Sequence, residues 1–195
     1  MNQFDAAQLV DRCRTGDEEA VARLVQAHQP AIYRLALSIL DDPADADEAT
    51  QETFLAALRS LADYHGQSAL RTWLFAIGIN ICRSRLRQRQ TRQHLHQLLR
   101  GAWLTSADPV QPENAVVQRQ SNDAVWRAVQ SLGEKHRMAI ILRYYHDLPI
   151  DEIAVILGLS AGTVHSRLSI ARDRLRAALG SPAAVRSEVE PKWQP

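Results

Sequence analysis

Six carboxylates fall within twelve residues of the N-terminal half of the chain. They are Asp41, Asp42, Asp45, Asp47, Glu48 and Glu52. Carboxylates this close can bind Mg²⁺ or form an acid–base pair. Most of these, however, stand where a helix begins, and capping and the helix dipole explain acidic residues there. No histidine or second carboxylate group lies at a motif spacing. The cluster therefore predicts an acidic docking face for a basic protein partner, with no catalytic residue and no metal ligand.

A run of arginines follows the acidic cluster along the chain. Its members are Arg83, Arg85, Arg87, Arg89 and Arg92. On a helix they spread around much of the surface, which suits a phosphate backbone, although a solvated helix end has the same composition. Tyr64, Trp73 and Phe75 precede the run, and aromatic rings beside basic side chains can stack on unpaired bases. Trp73 also fits an apolar stripe, which favours a core position. The segment is therefore predicted to contact nucleic acid.

The stretch from Leu148 to Leu179 predicts a helix, a tight turn at Gly158 and a second helix capped by Ser160. The second helix has a buried stripe of Val164, Leu168, Ala171, Leu175 and Leu179. The opposite face is small or polar and carries Gly162, Ser166, Ser169, Ile170 and Asp173, flanked by Arg167, Arg172, Arg174 and Arg176. This pattern is typical of a helix in a DNA major groove, although an αα-hairpin within a helical bundle is the alternative.

These segments belong to a chain whose charge is segregated, although its net charge is only +1. Residues 1–70 carry twelve acidic and five basic side chains, whereas residues 71–100 carry seven arginines and no acidic residue. Each block presents its own electrostatic field to a partner. Nearly every apolar pattern has a period near 3.6, so the sequence predicts an all-α protein of two small helical domains joined by a flexible linker.

The helices that position these segments can be outlined from the sequence. A first helix covers about residues 4–14, and Asp17 caps a long second helix that Pro30 is expected to bend. The third helix starts at Asp42-Pro43, and its expected buried residues are Phe54, Leu55, Leu58 and Leu61. The fourth is expected to be capped by Ser68 and to bury Leu70, Trp73, Leu74, Ile77 and Ile81.

Other signals are mostly negative. Cys13 and Cys82 lie far apart, which favours free thiols in a reducing compartment. The apolar runs are too short to cross a bilayer and the N-terminus lacks a signal-peptide pattern, so a soluble intracellular protein without membrane insertion is expected. No Gly-rich phosphate loop, nucleophile elbow or metal motif occurs, and no cofactor is expected.

Taken in order, these parts resemble bacterial RNA polymerase sigma factors of the extracytoplasmic-function (ECF) group of the sigma-70 family. The N-terminal likeness runs through DDPADADEATQETFLAAL and ALRTWLFAIGINICRSRLR, with Trp73, Leu74, Ile77 and Asn80 fitting the family pattern. The C-terminal likeness covers SLGEKHRMAIILRYYHDLPIDEIAVILGLSAGTVHSRLSIARDRLRAAL. The resemblance implies a promoter-specificity subunit without a catalytic site of its own, acting in the bacterial cytoplasm.

The resemblance also implies a role for each segment. It implies that the coiled coil of the polymerase's largest subunit is bound by Asp45, Glu48, Gln51, Glu52 and Phe54. It implies that the −10 element is opened, and a flipped base captured, by Tyr64, His65, Gly66, Gln67, Ser68 and Asn80. Arg83 and Arg85 would contact the DNA backbone nearby. The −35 element would be contacted by Thr163, His165, Ser166, Arg167, Ser169, Ile170 and Arg172.

The implied domains are a region 2-like domain at 1–92, a linker at 93–114, a region 4-like domain at 115–180 near the polymerase flap, and a flexible tail at 181–195. The implied partners are core RNA polymerase, promoter DNA (duplex and single-stranded −10) and an anti-sigma factor. Members of the group often carry a basic residue where this chain has His165. Ile170 is suited to contact a thymine methyl group.

Two other hypotheses compete with this one. A conventional DNA-binding regulator with a helical sensor domain would share the C-terminal helix-turn-helix, but it would need neither the acidic helix nor the pattern from Trp73 to Asn80. An enzyme would need a catalytic set, which the sequence lacks.

Overall fold

A computed structural model describes residues 3–102 and 123–179 of the chain, and the statements below concern those residues. Eight α-helices occur in them: α1 Gln3–Arg14, α2 Glu18–Leu40, α3 Pro43–Arg59, α4 Leu70–Ala102, α5 Asp123–Ser131, α6 Glu134–Ile140, α7 Ile150–Leu157 and α8 Ala161–Leu179. A 3₁₀ turn at Leu61–Asp63 follows α3, and a π-helical turn at Ile141–Tyr145 follows α6. The described part contains no strand, so the predicted all-α class is confirmed.

Helices α1–α4 form the N-terminal bundle. Asp17 caps α2 by accepting a hydrogen bond from the Ala20 amide, and Asp42 caps α3 by accepting one from the Asp45 amide, as the sequence predicts. Between α2 and α3, Asp41 adopts φ 55°, and its amide bonds to the Leu37 carbonyl. Helix α2 continues through Pro30.

The predicted buried side of α3 is partly wrong. Phe54 and Leu61 are buried, but Leu55 is 53% exposed. The side that faces α2 and α4 consists mainly of small residues, namely Ala46, Ala49, Thr50, Thr53 and Ala57. Small side chains let the helix axes approach closely, and Thr50 and Thr53 satisfy their buried hydroxyls on the carbonyls of Ala46 and Ala49. The rotation of α3 that follows leaves Leu55 outside.

Helix α4 buries a different set from the predicted stripe. Leu70 and Leu74 are buried as expected, but Phe75, Ile79 and Cys82 are buried as well, whereas Trp73, Ile77 and Ile81 are only partly covered. Neighbours on more than one side of α4 explain this, because it contacts α2, α3 and α7. Ser68 is not the helix cap: α4 begins at Leu70, and the Ala69 carbonyl accepts the Trp73 amide.

Helices α5–α8 form the C-terminal bundle. Val164, Leu168, Ala171 and Leu175 of α8 are buried, which confirms the predicted stripe, and Leu179 is partly buried against the core. Gly158 ends α7 with φ 64°, a conformation that glycine adopts without steric cost. The helix-turn-helix therefore has the predicted form, with a bend of 101° between α7 and α8.

The two bundles touch each other. Helix α4 of the N-terminal bundle packs against α7 of the C-terminal bundle. The side chains of Ser38 in α2 and of Asp41, which follows α2, also contact the C-terminal bundle. Helix α4 runs to Ala102, so the first part of the predicted linker is helical. The rest of the linker, the residues before Asp123 and the predicted tail lie outside the described residues.

Both cysteines are buried and free, as expected. Burial raises the pKa of the Cys82 thiol to about 12. Among the described helices, none alone has the length and apolarity of a membrane span; α7 and α8 reach those criteria only when counted together across their bend.

Candidate nucleic-acid interface and charged face

Helix α8 presents its outer face to solvent. His165, Ser166, Ser169 and Arg172 are exposed, and Ile170 is 42% exposed. The burial of Val164, Leu168 and Ala171 on the opposite side fixes this orientation, because helical periodicity then directs the remaining positions outward. The outer face is therefore available to enter a groove of DNA.

The start of α8 is ordered by its own polar residues. Ser160 Oγ accepts a hydrogen bond from the Thr163 amide at 3.3 Å and lies 2.9 Å from Thr163 Oγ1. Farther along, Arg176 pairs with Asp173 at 2.9 Å. Within the described residues, no salt bridge forms at Arg167, Arg172 or Arg174, so no acidic side chain there competes with phosphates for these guanidinium groups.

The segment from Tyr64 to Ser68 is held by contacts from α1 and from within itself. Arg14 donates to the carbonyls of Leu61 and Tyr64, and the Tyr64 hydroxyl donates to the Ser68 carbonyl at 2.8 Å. Gly66 has φ +70°, a conformation that favours glycine. These contacts give the loop a defined conformation in the chain without a partner.

A cleft of about 770 Å³ opens beside this loop. His65, Gly66 and Ser68 line it together with Arg14, His28 and Arg71. The aromatic ring of Tyr64 packs on Trp73 at 5.1 Å between centroids. Phe75, in contrast, is fully buried, so the predicted role of Phe75 as a stacking surface for bases is wrong. Asn80 is exposed on α4, about 15 Å along the helix from Leu70 at 1.5 Å per residue.

Sequence reasoning missed the side chains that support the cleft. Arg14, His28 and Arg71 come from three separate helices, and none belongs to a recognisable local motif. Burial, and secondarily the charge of Arg71, lowers the pKa of His28. His28 lies among the apolar positions of α2 in the sequence. A histidine at such a position was the one signal from which a polar site on this helix could have been predicted.

The acidic cluster and the arginine run meet on one face, formed by α3 and α4. Arg85 donates to Glu52 at 2.7 Å and to Glu48 at 2.9 Å, and lies 3.6 Å from Asp45. Arg89 pairs with Asp45 and donates to the Leu40 carbonyl at 3.0 Å. Hydrogen bonding to Glu52 is the largest cause of a raised pKa at Arg85. The docking acids and a predicted DNA ligand are therefore partners of each other.

The remaining predicted residues of this region have different surroundings. Gln51 is exposed, whereas Phe54 is only 6% exposed and belongs to the bundle core, so its predicted contact with a partner would need the bundle to rearrange. Arg83 Nε lies 3.3 Å from Glu134 of α6. Burial, with the nearby charges of Arg167 and Arg87, lowers the pKa of Arg83, although Glu134 opposes the shift.

In the described part of the chain, no group of three or more His, Cys, Asp or Glu side chains is placed to hold a metal ion. The site is one of exposed polar and basic helices, a preformed loop with a cleft, and a charged face. Together these features define a two-domain helical protein whose exposed surfaces suit DNA and a basic protein partner.

Comparison with known proteins identifies the class more closely. Residues 24–92 match the model for sigma-70 region 2, and residues 122–175 match the model for sigma-70 region 4. The chain is 30% identical to the ECF RNA polymerase sigma factor SigW of Bacillus subtilis over 173 residues, which cover 86% of this chain and 92% of SigW.

Two solved structures share the fold. One is CnrH in complex with the cytosolic domain of CnrY, with a TM-score of 0.64, 27% identity, and coverage of 91% of this chain and 98% of CnrH. The other is the sigma factor RpoE of Bartonella quintana in complex with the anti-sigma factor NepR, with a TM-score of 0.63, 26% identity, and coverage of 83% and 97%. The chain belongs to the ECF group of the sigma-70 family of RNA polymerase sigma factors.

This membership establishes the function at the level of the family. The protein is a specificity factor that binds core RNA polymerase, recognises the −10 and −35 promoter elements, helps to melt the −10 region and initiates transcription. The matched region 2 occupies the part of the chain where a conventional regulator would carry a sensor domain, and no observation favours that alternative.

Proposed function

We propose that three surfaces of this chain divide the work of promoter recognition. The outer face of α8 contacts the −35 duplex, the Tyr64–Ser68 loop and its cleft act at the −10 element, and the acidic side of α3 docks on polymerase. The observation that carries this proposal is the solvent exposure of the α8 outer face, together with a preformed loop in the region 2 match.

At the −35 element, Ser166, Ser169 and Ile170 are short enough to let the backbone of α8 approach base edges. Arg167 and Arg172 flank them at the height of the phosphates, and their charge supports binding by counterion release. Thr163 supports the helix start through Ser160 and contacts the backbone from there. His165 adds a hydrogen-bonding group on the same face.

At the −10 element, the cleft beside His65, Gly66 and Ser68 accepts a base that has left the duplex. Unstacking a base costs a few kcal/mol, and a rigid pocket offsets that cost because it requires no further ordering. Tyr64, whose ring packs on Trp73 at an angle of 45°, forms the aromatic wall, and Gln67 of the loop supplies an amide group. Asn80, exposed farther along α4, supplies its amide group to the strand outside the cleft. Arg83 and Arg85 contact the backbone only after they leave Glu134 and the α3 acids.

At the polymerase, the acids of α3 bind a basic surface of the partner. Arg85 and Arg89 already pair with these acids, so the two arginines compete with the partner surface for them. The partner surface is the coiled coil of the largest subunit, and the C-terminal bundle sits near the flap. An anti-sigma factor is a further proposed partner, as NepR is for RpoE. The protein is proposed to act in the cytoplasm, where core polymerase is found.

The test of the docking surface is a binding measurement with purified core polymerase. Glu48→Lys should weaken binding several-fold, because a positive charge then faces the basic coiled coil. Glu18→Lys, an equal charge change at an exposed position on α2, is the control and should leave the affinity unchanged. Equal affinity for all three proteins would overturn the docking assignment.

The test of the whole proposal is promoter-dependent transcription by core enzyme with the purified chain. We expect defined start sites on a genomic template library. If no promoter-dependent transcript appears with any template, the assignment of the surfaces to promoter elements is wrong.

A further inference from the structure

The cleft beside the loop from Tyr64 to Ser68 is lined by one carboxylate and two guanidinium groups, and only one of the three lacks an ionic partner. Arg14 pairs with Asp11 at 2.9 Å, and its other donors bind two backbone carbonyls in and before the loop. The second guanidinium group belongs to Arg71, in the first turn of α4. Arg71 therefore gives the cleft a positive charge that an anionic ligand can neutralise.

The guanidinium group of Arg71 rests on an aromatic ring. Arg71 is exposed and forms no salt bridge within residues 3–102 and 123–179. Its Cζ lies 4.9 Å from the centroid of the Phe75 ring. Phe75 is fully buried, and the His146 ring packs edge-on against it with 5.4 Å between centroids, which holds the ring in place. A guanidinium group over a ring keeps its N–H donors free at its edges, where they match the oxygens of a phosphate.

The two arginines that the sequence assigned to the DNA backbone lie far from this cleft. Arg83 and Arg85 follow Arg71 by about 18 and 21 Å along α4, at 1.5 Å per residue. Both are also paired, Arg83 with Glu134 and Arg85 with Glu52. The phosphates on either side of a nucleotide are covalently attached to it, so they stay beside the cleft when its base enters. Arg71 is the unpaired arginine that is placed to contact them.

We propose that Arg71 binds a backbone phosphate next to the base that the cleft captures from the −10 element. This proposal rests on the −10 assignment above, and it replaces the predicted backbone role of Arg83 and Arg85 at this nucleotide. The ligand is a phosphodiester group of unpaired DNA. The contact is charge-assisted and does not depend on the base, so it holds the strand in register while the loop and the cleft bind the base.

The experiment removes the charge of one phosphate at a time. The probe is a fluorescent single-stranded oligonucleotide with the −10 sequence of a promoter whose start site the protein defines in the transcription assay above. In each member of a probe series, one phosphate is replaced by an uncharged methylphosphonate. Affinities are measured for the full-length protein bound to core polymerase.

Substitutions of Arg71 should change both affinity and salt dependence. Arg71→Gln should weaken binding of the unmodified probe at least about fivefold, because a charge-assisted contact is lost. The magnitude of the slope of log affinity against log salt should fall by about 0.7, the value for one phosphate of a single strand. Arg71→Lys keeps the charge but not the planar guanidinium group, so it should retain most of the slope at a lower affinity. Arg23→Gln, an equal charge change at an exposed position of α2, is the control and should match the unmodified protein.

The methylphosphonate series identifies the phosphate. At one position the modification should weaken binding by the unmodified protein and by Arg23→Gln. It should not weaken binding by Arg71→Gln any further, because the contact is already absent there. In Arg85→Gln the penalty at the same position should persist. A residue that only supported the fold would not single out one phosphate.

Equal penalties in Arg71→Gln and the unmodified protein at every phosphate would overturn the proposal. A penalty that disappears in Arg85→Gln and persists in Arg71→Gln would overturn it as well. The transcription assay separates these failures from failure of the proposed function. If promoter-dependent transcripts accompany either result, only the role of Arg71 is rejected, whereas the absence of any such transcript from the unmodified protein rejects the −10 assignment itself.

Discussion

Helices α4 and α8 are both rich in arginine, yet their arginines have different surroundings. On α4, Arg85 and Arg89 pair with acids of α3, and Arg83 pairs with Glu134 of the other bundle. On α8, Arg167 and Arg172 form no salt bridge within the described residues. The same residue type thus holds the protein together on one helix and remains available to a partner on the other.

The cause of this difference lies in the neighbouring elements. Helix α3 brings Asp45, Glu48 and Glu52 against α4, whereas the elements packed on α8 contact its apolar side and leave its outer face open. An arginine's availability therefore depends on acids contributed by other helices. A partner of the α3–α4 face must compete with internal pairs, but a partner of α8 meets unpaired charge.

The largest expected effect tests the division of α8 into two faces. Leu168→Ala should lower the free energy of unfolding by about 2–5 kcal/mol, because it removes a buried side chain and leaves a cavity. The adjacent Ser169→Ala, at an exposed position, should change it by less than about 0.5 kcal/mol. Chemical denaturation measures both. Similar losses in the two variants would show that α8 is not oriented as described.

The next effect concerns the pH dependence of the contact between the bundles. Burial, and secondarily the charges of Arg71 and Arg34, lowers the pKa of His146 from 6.5 to about 4. Above pH 6.5 the ring is neutral whether the bundles are docked or apart. Between pH 6.5 and 4 only the separated form takes up the proton, so docking weakens as the pH falls, by about tenfold per pH unit.

Spin labels on Arg59→Cys and Ala177→Cys, at exposed positions of the two bundles, report the distance between the bundles. Measuring this distance at pH 7.5 and at pH 5 would test the dependence. His146→Gln should remove most of it, whereas His65→Gln, a change at an exposed histidine of the loop, should leave it intact. A pH response that persists in His146→Gln would assign the titration to another group.

A smaller effect compares the two helices directly in DNA binding. Arg172→Ala should weaken binding of a −35 duplex several-fold for every sequence and reduce the slope of log affinity against log salt by about one, because one phosphate contact is lost. Arg85→Ala should leave −35 binding unchanged, because Arg85 is held by Glu48 and Glu52. Titrations at several salt concentrations would show the difference, and equal losses in both variants would contradict it.

The smallest effect lies in the stability of the α3–α4 face. Arg85→Ala should cost about 0.5–1 kcal/mol of unfolding free energy, because Glu48 and Glu52 are largely exposed and solvent screens such pairs. Arg87→Ala, at an exposed position two residues later, is the control and should change stability less. If both variants were equally stable, the Arg85 network would have no structural role.

Local sequence signals predicted much of this fold. Asp17 and Asp42 cap helices because their carboxylates bond backbone amides close by in the chain, and Gly158 ends α7 for a similarly local reason. The stripe from Val164 to Leu175 was predicted because helical periodicity depends only on spacing. Leu55 and Phe75 were placed wrongly, since their burial depends on how closely other helices approach.

The sequence by itself determined the all-α class, the helix-turn-helix with its outward face, and the family, because caps, periodicity and motif spacing are properties of short segments. Only the tertiary structure decided that Arg85 belongs to the acids of α3, that Arg14 and His28 border the cleft, and that His146 is seated on Phe75. These contacts join residues far apart in the chain. They depend on the relative placement of whole helices, which no local pattern specifies.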